Sequence, residues 1–513
     1  MIGWATNDGD LMHLAVTFTS RALFPALSLA FALGACGGGE TNGAGGAGGT
    51  TGTTTTSSST TTTGGSGGAG PVCGNGIKEV GEACDDGNTT TGDGCGACQQ
   101  VAAVSAGTHH ACVLITDGRL KCWGEGHSGA LGLGDTQDWG AMPGEMLSLP
   151  AVDLGTGRTA VAVSAASNHT CAVLDAGDVK CWGENAQGEL GIGTTEQRGD
   201  HGDMGDELPV VDLGAGARAT AVATNYLQSC ALLEDGGVKC WGRNDWGQLG
   251  LGDTTQRGDG PGEMGDALPE VDLGTGHTAK QIAMDGNTNC ALLDDDSVKC
   301  WGVNGFGQLG QGDTLNRGDQ PGQMGDALPA VDLGTGRTAL AVAAHAGTVC
   351  AVLDTHEVKC WGLNDSGQLG QGDTLNRGDQ PGQMGDALPA LDLGSGRTAK
   401  AIAVGAMGAC AILDDDSVKC WGSNGGGTLG LGDTLNRGDQ PGQMGDALPA
   451  VDLGSGRTAR AITRGTSVCA LLDNLTVKCW GVNTHGELGQ GDTLLRGNQP
   501  GQMGDDLPPV LLP

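Results

Sequence analysis

Cysteine is the residue type whose number and spacing most clearly imply chemistry in this sequence. The chain has 19 cysteines among 513 residues, a usage typical of an oxidising compartment because cytosolic thiols are kept reduced. Fourteen of them flank short turns such as Thr116-Asp117-Gly118, between two apolar runs. That pattern predicts a β-hairpin with a type I turn and a bulge, which places the two cysteines directly opposite each other. We therefore predict seven hairpin disulfides: Cys112–Cys122, Cys171–Cys181, Cys230–Cys240, Cys290–Cys300, Cys350–Cys360, Cys410–Cys420 and Cys469–Cys479.

The other chemistry-bearing residues do not form a catalytic set. The 10 histidines are scattered without a His-x-x-x-His spacing. A Gly-x-Ser-x-Gly match at residues 64–68 lies in a Gly/Thr/Ser tract, where the strand-to-helix turn of a hydrolase nucleophile cannot form. Carboxylate pairs are mostly copies within a repeat. We predict a non-enzymatic protein without a cofactor, and keep as an alternative a carbohydrate-active enzyme with two carboxylates in one cleft.

Composition and charge exclude some classes of partner. Glycine accounts for 99 residues, which indicates many tight turns, and the net charge is −34. An acidic surface of this size repels nucleic acids and anionic lipid headgroups. We therefore predict no nucleic-acid partner, and no membrane contact other than a lipid anchor.

The N-terminus carries a targeting pattern. Residues 22–35 form an apolar stretch too short to span a membrane, preceded by Arg21 and followed by Cys36. This pattern resembles a bacterial lipoprotein signal, with residues 1–35 removed and Cys36 lipidated. A plain cleaved signal with an unmodified cysteine is the alternative. Lipidation leaves 18 cysteines, a number that can pair completely, and implies an extracytoplasmic protein at the outer membrane or cell surface.

The sequence offers two candidate translation starts, Met1 and Met12. Asp8 and Asp10 are unusual in the basic leading part of a signal, so a start at Met12 rather than Met1 gives a better signal. After the signal, residues 36–72 consist of the lipidated cysteine and a tract of Gly, Thr, Ser and Ala. This tract lacks the apolar residues needed to fold, so we predict a flexible, disordered linker.

Residues 73–98 resemble the myxobacterial cysteine-rich repeat of extracellular proteins. The resemblance implies two disulfides in one of three connectivities, with a four-thiolate zinc site as the alternative. The cysteines concerned are Cys73, Cys84, Cys95 and Cys98. Four oxygen donors within nine residues suit calcium, and ordinary turn chemistry is the alternative explanation. These donors are Asp85, Asp86, Asn88 and Asp93.

The rest of the chain, residues 101–513, is a repeat. Cys-Trp-Gly recurs seven times at intervals of 59 or 60 residues, which indicates an array or a propeller. Trp-Gly-x-Asn-x-x-Gly-Gln-Leu-Gly-x-Gly-Asp stands complete at 241–253, 301–313 and 361–373. It resembles the regulator of chromosome condensation repeat, which implies an all-β, seven-bladed β-propeller. We expect about four strands per repeat, and ring closure by N- and C-terminal strands in one sheet.

A unique binding site must depart from the repeat. Four residues do so in neighbouring repeats: Tyr226, Arg243, Trp246 and Phe306. Aromatic residues in loops with an arginine nearby are typical of binding hot spots, while packing between blades is the alternative. Trp246 and Phe306 occupy the same place in successive repeats, whereas the sequence does not say whether Tyr226 shares their face.

These observations predict a lipid-anchored surface protein that presents a propeller to a protein or glycan ligand. The resemblance implies an alternative, guanine-nucleotide exchange on a small GTPase, which the signal and the disulfides disfavour. The sequence does not indicate the oligomeric state.

Overall fold

The computed structural model describes residues 101–512, which form seven three-stranded antiparallel sheets, each with its strands in chain order. We call the sheets blades 1 to 7. The first strands are β1 (Val101–Ala106), β4 (Ala160–Ala165), β7 (Ala219–Thr224), β10 (Ala279–Asp285), β13 (Ala339–His345), β16 (Ala399–Gly405) and β19 (Ala459–Arg464). The second strands are β2 (His110–Ile115), β5 (His169–Leu174), β8 (Gln228–Leu233), β11 (Thr288–Leu293), β14 (Thr348–Leu353), β17 (Gly408–Leu413) and β20 (Ser467–Leu472). The third strands are β3 (Leu120–Gly124), β6 (Val179–Gly183), β9 (Val238–Gly242), β12 (Val298–Gly302), β15 (Val358–Gly362), β18 (Val418–Gly422) and β21 (Val477–Gly481).

Short 3-10 helices occupy the long segments that follow the third strands. They span His127–Gly129, Glu145–Ser148, Gly205–Glu207, Gly265–Ala267, Gly325–Ala327, Gly385–Ala387, Gly445–Ala447 and Gly504–Asp506. Among residues 101–512, no helix combines the length and the apolar character needed to cross a membrane.

The second and third strands of each blade form the predicted hairpin. Gly118 has a positive φ of 86°, and its N–H donates to the carbonyl of Ile115, as the bulged turn requires. Cys112 lies opposite Cys122, and all seven predicted disulfides are present in the same register. In the chain-entropy model, each short loop closed in this way contributes roughly 2–3 kcal/mol to the free energy of unfolding.

The prediction of four strands per repeat was wrong. The segment around Val331 joins its blade through one backbone hydrogen bond, from the N–H of Val331 to the carbonyl of Val298 at 2.7 Å. Pro329, two residues earlier, has no N–H with which to extend the ladder. The same bond recurs in every blade, so each blade has three regular strands and one segment bonded to its edge.

Neighbouring blades share their hydrophobic core. In one cluster, Leu292 and Val298 of blade 4 pack with Val342 and Trp361 of blade 5. The Trp361 Nε1–H also donates to the carbonyl of Gln308 in blade 4, at 3.0 Å. Seven tryptophans, one per blade, are fully buried and make this same bond to the preceding blade: Trp123, Trp182, Trp241, Trp301, Trp361, Trp421 and Trp480.

Ring closure also differs from the expectation. Blades 1 and 7 each form their own sheet of three consecutive strands, so no sheet combines the two ends of the repeat array. The ends meet by packing, since Val104 and Trp123 share a cluster with Leu471. Trp123 donates to the carbonyl of Glu487 at 2.9 Å. The closing seam therefore repeats the contact found between every other pair of blades.

Candidate protein-binding face

The turn between the first two strands and the segment after the third strand lie at the same end of each blade. In blade 3, the N–H of Arg243 donates to the carbonyl of Leu227 at 2.9 Å. The equivalent bond joins Glu125 to His109 in blade 1, at 2.8 Å. We call this end of the propeller the rim face, and it carries both Tyr226 and Trp246.

Local hydrogen bonds project two aromatic side chains from the rim face. The N–H of Trp246 donates to Gln248 Oε1 at 2.9 Å, and that of Phe306 donates to Gln308 Oε1 at 2.8 Å. Each buried glutamine fixes the backbone, and the aromatic ring extends outward. The exposed fractions are 46% for Trp246 and 43% for Phe306. Large apolar side chains this exposed, at matching places in adjacent blades, form a candidate contact surface.

Packing between blades accounts for part of this arrangement. A Cβ added at Gly347 in blade 5 would lie 3.1 Å from Phe306 Cδ2, so the ring reaches across to the next blade. Phe306 as a whole nonetheless remains 43% exposed. Packing on the neighbouring blade therefore orients the ring without covering it.

Tyr226 and Arg243 complete the predicted set on blade 3. Tyr226 is 40% exposed in the turn before β8. The Arg243 Nε donates to the Asp245 carboxylate at 2.6 Å. A surface ion pair of this kind is worth little stability, so Arg243 can exchange its partner at small cost. The structure thus places all four predicted residues on one face, in blades 3 and 4.

A buried chain of hydrogen bonds runs between the first blades beneath this face. His169 Nε2 lies 2.9 Å from Ser229 Oγ in blade 3, and Ser229 donates in turn to the carbonyl of Glu189. Because that hydroxyl already donates, the histidine must carry its proton on Nε2. Burial, and then the nearby His110, lower the pKa of His169 to about 3. The imidazole is therefore held neutral.

Two buried ionisable residues near the blade junctions were missed by sequence reasoning. Asp285 Oδ2 accepts from the N–H of Gly347 in the next blade at 2.6 Å, and burial raises the pKa of Asp285 to about 7. Its equivalents in three other blades are Gly107, Ala166 and Asn225. The signal available in the sequence was an aspartate at a position where those repeats carry uncharged residues.

Arg464 is the second such residue. Its fully buried guanidinium donates to Thr428 Oγ1 at 3.2 Å, and burial lowers the pKa of Arg464 to about 9. A Cβ at Gly405 or Gly408 would lie 2.3 Å from this side chain. The two glycines of blade 6 therefore make the space that the arginine of blade 7 fills.

The closing seam carries a cluster of ionisable side chains that the sequence did not reveal. His109 Nδ1 lies 4.0 Å from a carboxylate oxygen of Glu125 and 3.9 Å from one of Glu487. The rings of His109 and His485 meet edge to face, with centroids 5.6 Å apart. His485 Nδ1 lies 3.2 Å from Asp138 Oδ2. Residues from both ends of the repeat array thus meet at one place on the rim face.

The electrostatics of this seam differ from those of the matching place in blade 2. Burial raises the pKa of Glu189 to about 7. Burial acts on Glu487 in the same direction, but the nearby His109 imidazole and hydrogen bonds from the backbone outweigh it and lower the pKa of Glu487. Leu227 stands in blade 3 where His109 stands in blade 1. The histidine therefore keeps the seam carboxylate ionised.

Several predicted sites lie outside the described residues 101–512. They are the lipidation site Cys36, the candidate calcium ligands Asp85, Asp86, Asn88 and Asp93, and the cysteines Cys73, Cys84, Cys95 and Cys98. These assignments stay predictions.

The repeats match two family models described as the Regulator of chromosome condensation (RCC1) repeat. One covers residues 101–130, 160–189, 210–248 and 279–308, and the other covers residues 117–173. With the seven-bladed fold, these matches show that the chain is similar to the RCC1-repeat propellers.

Relatives and solved structures agree with this class. The chain is 28% identical to the Ultraviolet-B receptor UVR8 of Arabidopsis thaliana over 404 residues, 78% of this chain and 80% of that protein. It is 28% identical over 328 residues to the human E3 ubiquitin-protein ligase HERC2, a match that spans 63% of this chain and 6% of HERC2. The fold resembles that of Prp20p from Saccharomyces cerevisiae, with a TM-score of 0.54, 18% identity, and coverage of 71% of this chain and 80% of that one.

Proposed function

We propose that this protein is a non-catalytic binding propeller that recognises a protein partner through the rim face of blades 3 and 4. The observation that carries the proposal is the pair Trp246 and Phe306, each nearly half exposed at the same place in adjacent blades. Large aromatic side chains held by a rigid backbone lose little entropy on binding and dominate the energetics of protein interfaces.

The surroundings of the pair favour a protein partner. Tyr226 adds an exposed ring, and Arg243 adds a guanidinium whose present partner is a surface carboxylate. Tyrosine, tryptophan and arginine are the residues most enriched at binding hot spots. The Prp20p structure is described with its binding properties to Gsp1p and histones, which supports protein recognition as a use of this fold.

The place of action in this proposal is extracytoplasmic, with a lipid on Cys36 and a flexible linker as the anchor. The seven disulfides support an oxidising compartment, since cytosolic reductants oppose such bonds. The lipoprotein-like signal supports the anchor.

The binding prediction concerns a double variant, W246A/F306A. Each hot-spot ring is expected to contribute about 2 kcal/mol, which corresponds to roughly a 30-fold loss of affinity per ring. A photo-reactive residue placed at Tyr226 in the native host should cross-link a defined protein, and purified partner then gives the affinity by calorimetry. We expect the double variant to lose binding and to keep the thermal midpoint of the native protein.

Leu340 provides the matched control. It is 43% exposed, as Phe306 is, but it lies near the start of β13, at the opposite end of the blade from the rim face. The L340A variant should bind as the native protein does. Equal binding by W246A/F306A, or loss of binding by L340A, would contradict the proposed face. A cross-linked glycan in place of a protein would contradict the proposal that the partner is a protein.

A further inference from the structure

We propose that the seam between blades 1 and 7 is a binding site for a divalent transition-metal cation, with His109, Glu125 and His485 as its ligands. One candidate ligand atom from each residue lies within 4.8 Å of the other two. Two imidazoles and a carboxylate are a donor set that suits Zn²⁺ and its neighbours in the first transition series, with a fourth position left for water or a partner group.

The geometry is close to what such an ion needs. Ligand atoms about 2.1 Å from a tetrahedral ion lie about 3.4 Å from one another. His109, Glu125 and His485 are partly exposed, so small side-chain rotations bring the donors together. Asp138 accepts from His485 Nδ1, which leaves the Nε2 lone pair available. A carboxylate partner of this kind is what orients most metal-bound histidines.

The surroundings favour a cation and keep the site open. The Glu487 carboxylate lies 3.9 Å from His109 Nδ1, so a second carboxylate adds negative potential. A surface pocket is lined by Glu125 and His485 together with His127, Ser128, Thr136, Asp138 and Gln197. The free coordination position would thus face solvent rather than the core.

The arrangement is specific to this seam. Elsewhere the His109 position is occupied by Asn168, Leu227, Asn287, Gly347, Met407 and Thr466. The His485 position is occupied by Ser128, Gln187, Trp246, Phe306, Ser366 and Gly426. No other pair of neighbouring blades brings two histidines together there. Because the ligands come from both ends of the repeat array, a bound ion would link the first blade to the last.

A second cluster of ionisable side chains, around His277, contrasts with the cluster at the seam. His277 lies 3.1 Å from Asp294 and 3.9 Å from Asp295. In blade 6 the same places hold Arg397, Asp414 and Asp415, which form ion pairs. His277 therefore occupies an ion-pair position of the repeat, and it supplies a matched control for the seam.

The test measures Zn²⁺ binding to the full-length, oxidised protein after chelator treatment and dialysis. Isothermal calorimetry with ZnCl₂ should show a seam site of micromolar or better affinity, and Zn²⁺ should raise the thermal midpoint. The variants H109N and H485S introduce residues that other blades carry at those positions, so they should fold. We expect each to weaken the seam site at least tenfold and to remove the thermal shift, whereas H277A should behave as the native protein.

Two results would overturn the proposal. One is zinc binding by H109N and H485S that equals that of the native protein, which would place any bound ion elsewhere, including the four cysteines of residues 73–98. The other is no binding to the native protein at 100-fold molar excess of Zn²⁺.

Discussion

Replacing His169 by glutamine is expected to make the propeller more resistant to acid. The folded protein holds His169 neutral with a pKa of about 3, because the ring is buried and His110 is nearby. The unfolded chain protonates it near pH 6.5. The unfolded state therefore binds more protons between these values, and stability falls as the pH drops from 6.5 towards 3. At pH 4 the cost is about 3 kcal/mol, since one pKa unit corresponds to about 1.4 kcal/mol.

Glutamine is a replacement that the repeat itself supplies. Gln228 occupies the same place in blade 3, where its Nε2 donates to Asn289 Oδ1 in blade 4 at 2.9 Å. The H169Q variant should therefore keep its bond to Ser229. Urea unfolding with disulfides intact should give equal stability at pH 7.5 and an advantage for H169Q of about 3 kcal/mol at pH 4.

The control for this experiment is H201Q. His201 is exposed at the surface, and its contact with Asp200 raises the pKa of His201. Its protonation therefore favours the folded state, and its removal should give no advantage at pH 4. If H169Q and the native protein lose the same stability between pH 7.5 and pH 4, His169 is not the group responsible for the acid sensitivity.

Replacing Asp285 by asparagine is expected to stabilise the propeller at pH 8 rather than at acid pH. Burial raises the pKa of Asp285 to about 7, against 3.8 for a free aspartate. The folded state therefore holds a proton that the unfolded state releases, and stability falls as the pH rises from 4 to 7. Above pH 7 the loss is complete, at about 4 kcal/mol.

Asparagine can still accept from the N–H of Gly347, and Asn225 occupies the equivalent place in blade 3. The D285N variant should be more stable than the native protein by about 4 kcal/mol at pH 8, and equally stable at pH 4. Denaturant unfolding at the two pH values measures the difference. An advantage of D285N that is the same at both pH values would show that Asp285 does not titrate in this range.

The fold was largely predictable because the sequence pattern of one hairpin is repeated seven times. Cysteine spacing and the turn at Gly118 together specify the register, and the structure confirms it. The fourth strand was not predictable from the apolar run alone, since Pro329 limits the segment to one ladder bond. The prediction of ring closure was wrong, because Trp123 makes the same bond to blade 7 that the other six core tryptophans make to their preceding blades.

The candidate site was predictable only where it breaks the repeat on a loop. Trp246 and Phe306 stood out as aromatic residues at matching positions, and the structure shows their exposure. The seam cluster was not predictable, because His109 and His485 lie in the first and last repeats and meet only when the ring closes. The burial of Arg464 was not predictable from its own repeat, because the space for its side chain is made by Gly405 and Gly408 of the adjoining blade.

We propose that this disulfide-linked propeller acts outside the reducing cytosol. Thiol counting by mass spectrometry tests it most directly, on protein taken from the native host and alkylated under denaturing conditions without reductant. We expect that none of the 14 blade cysteines is alkylated and that their peptides are linked in the seven hairpin pairs. Largely alkylated blade cysteines would contradict it, and would direct the search for partners to the cytosol and to small GTPases.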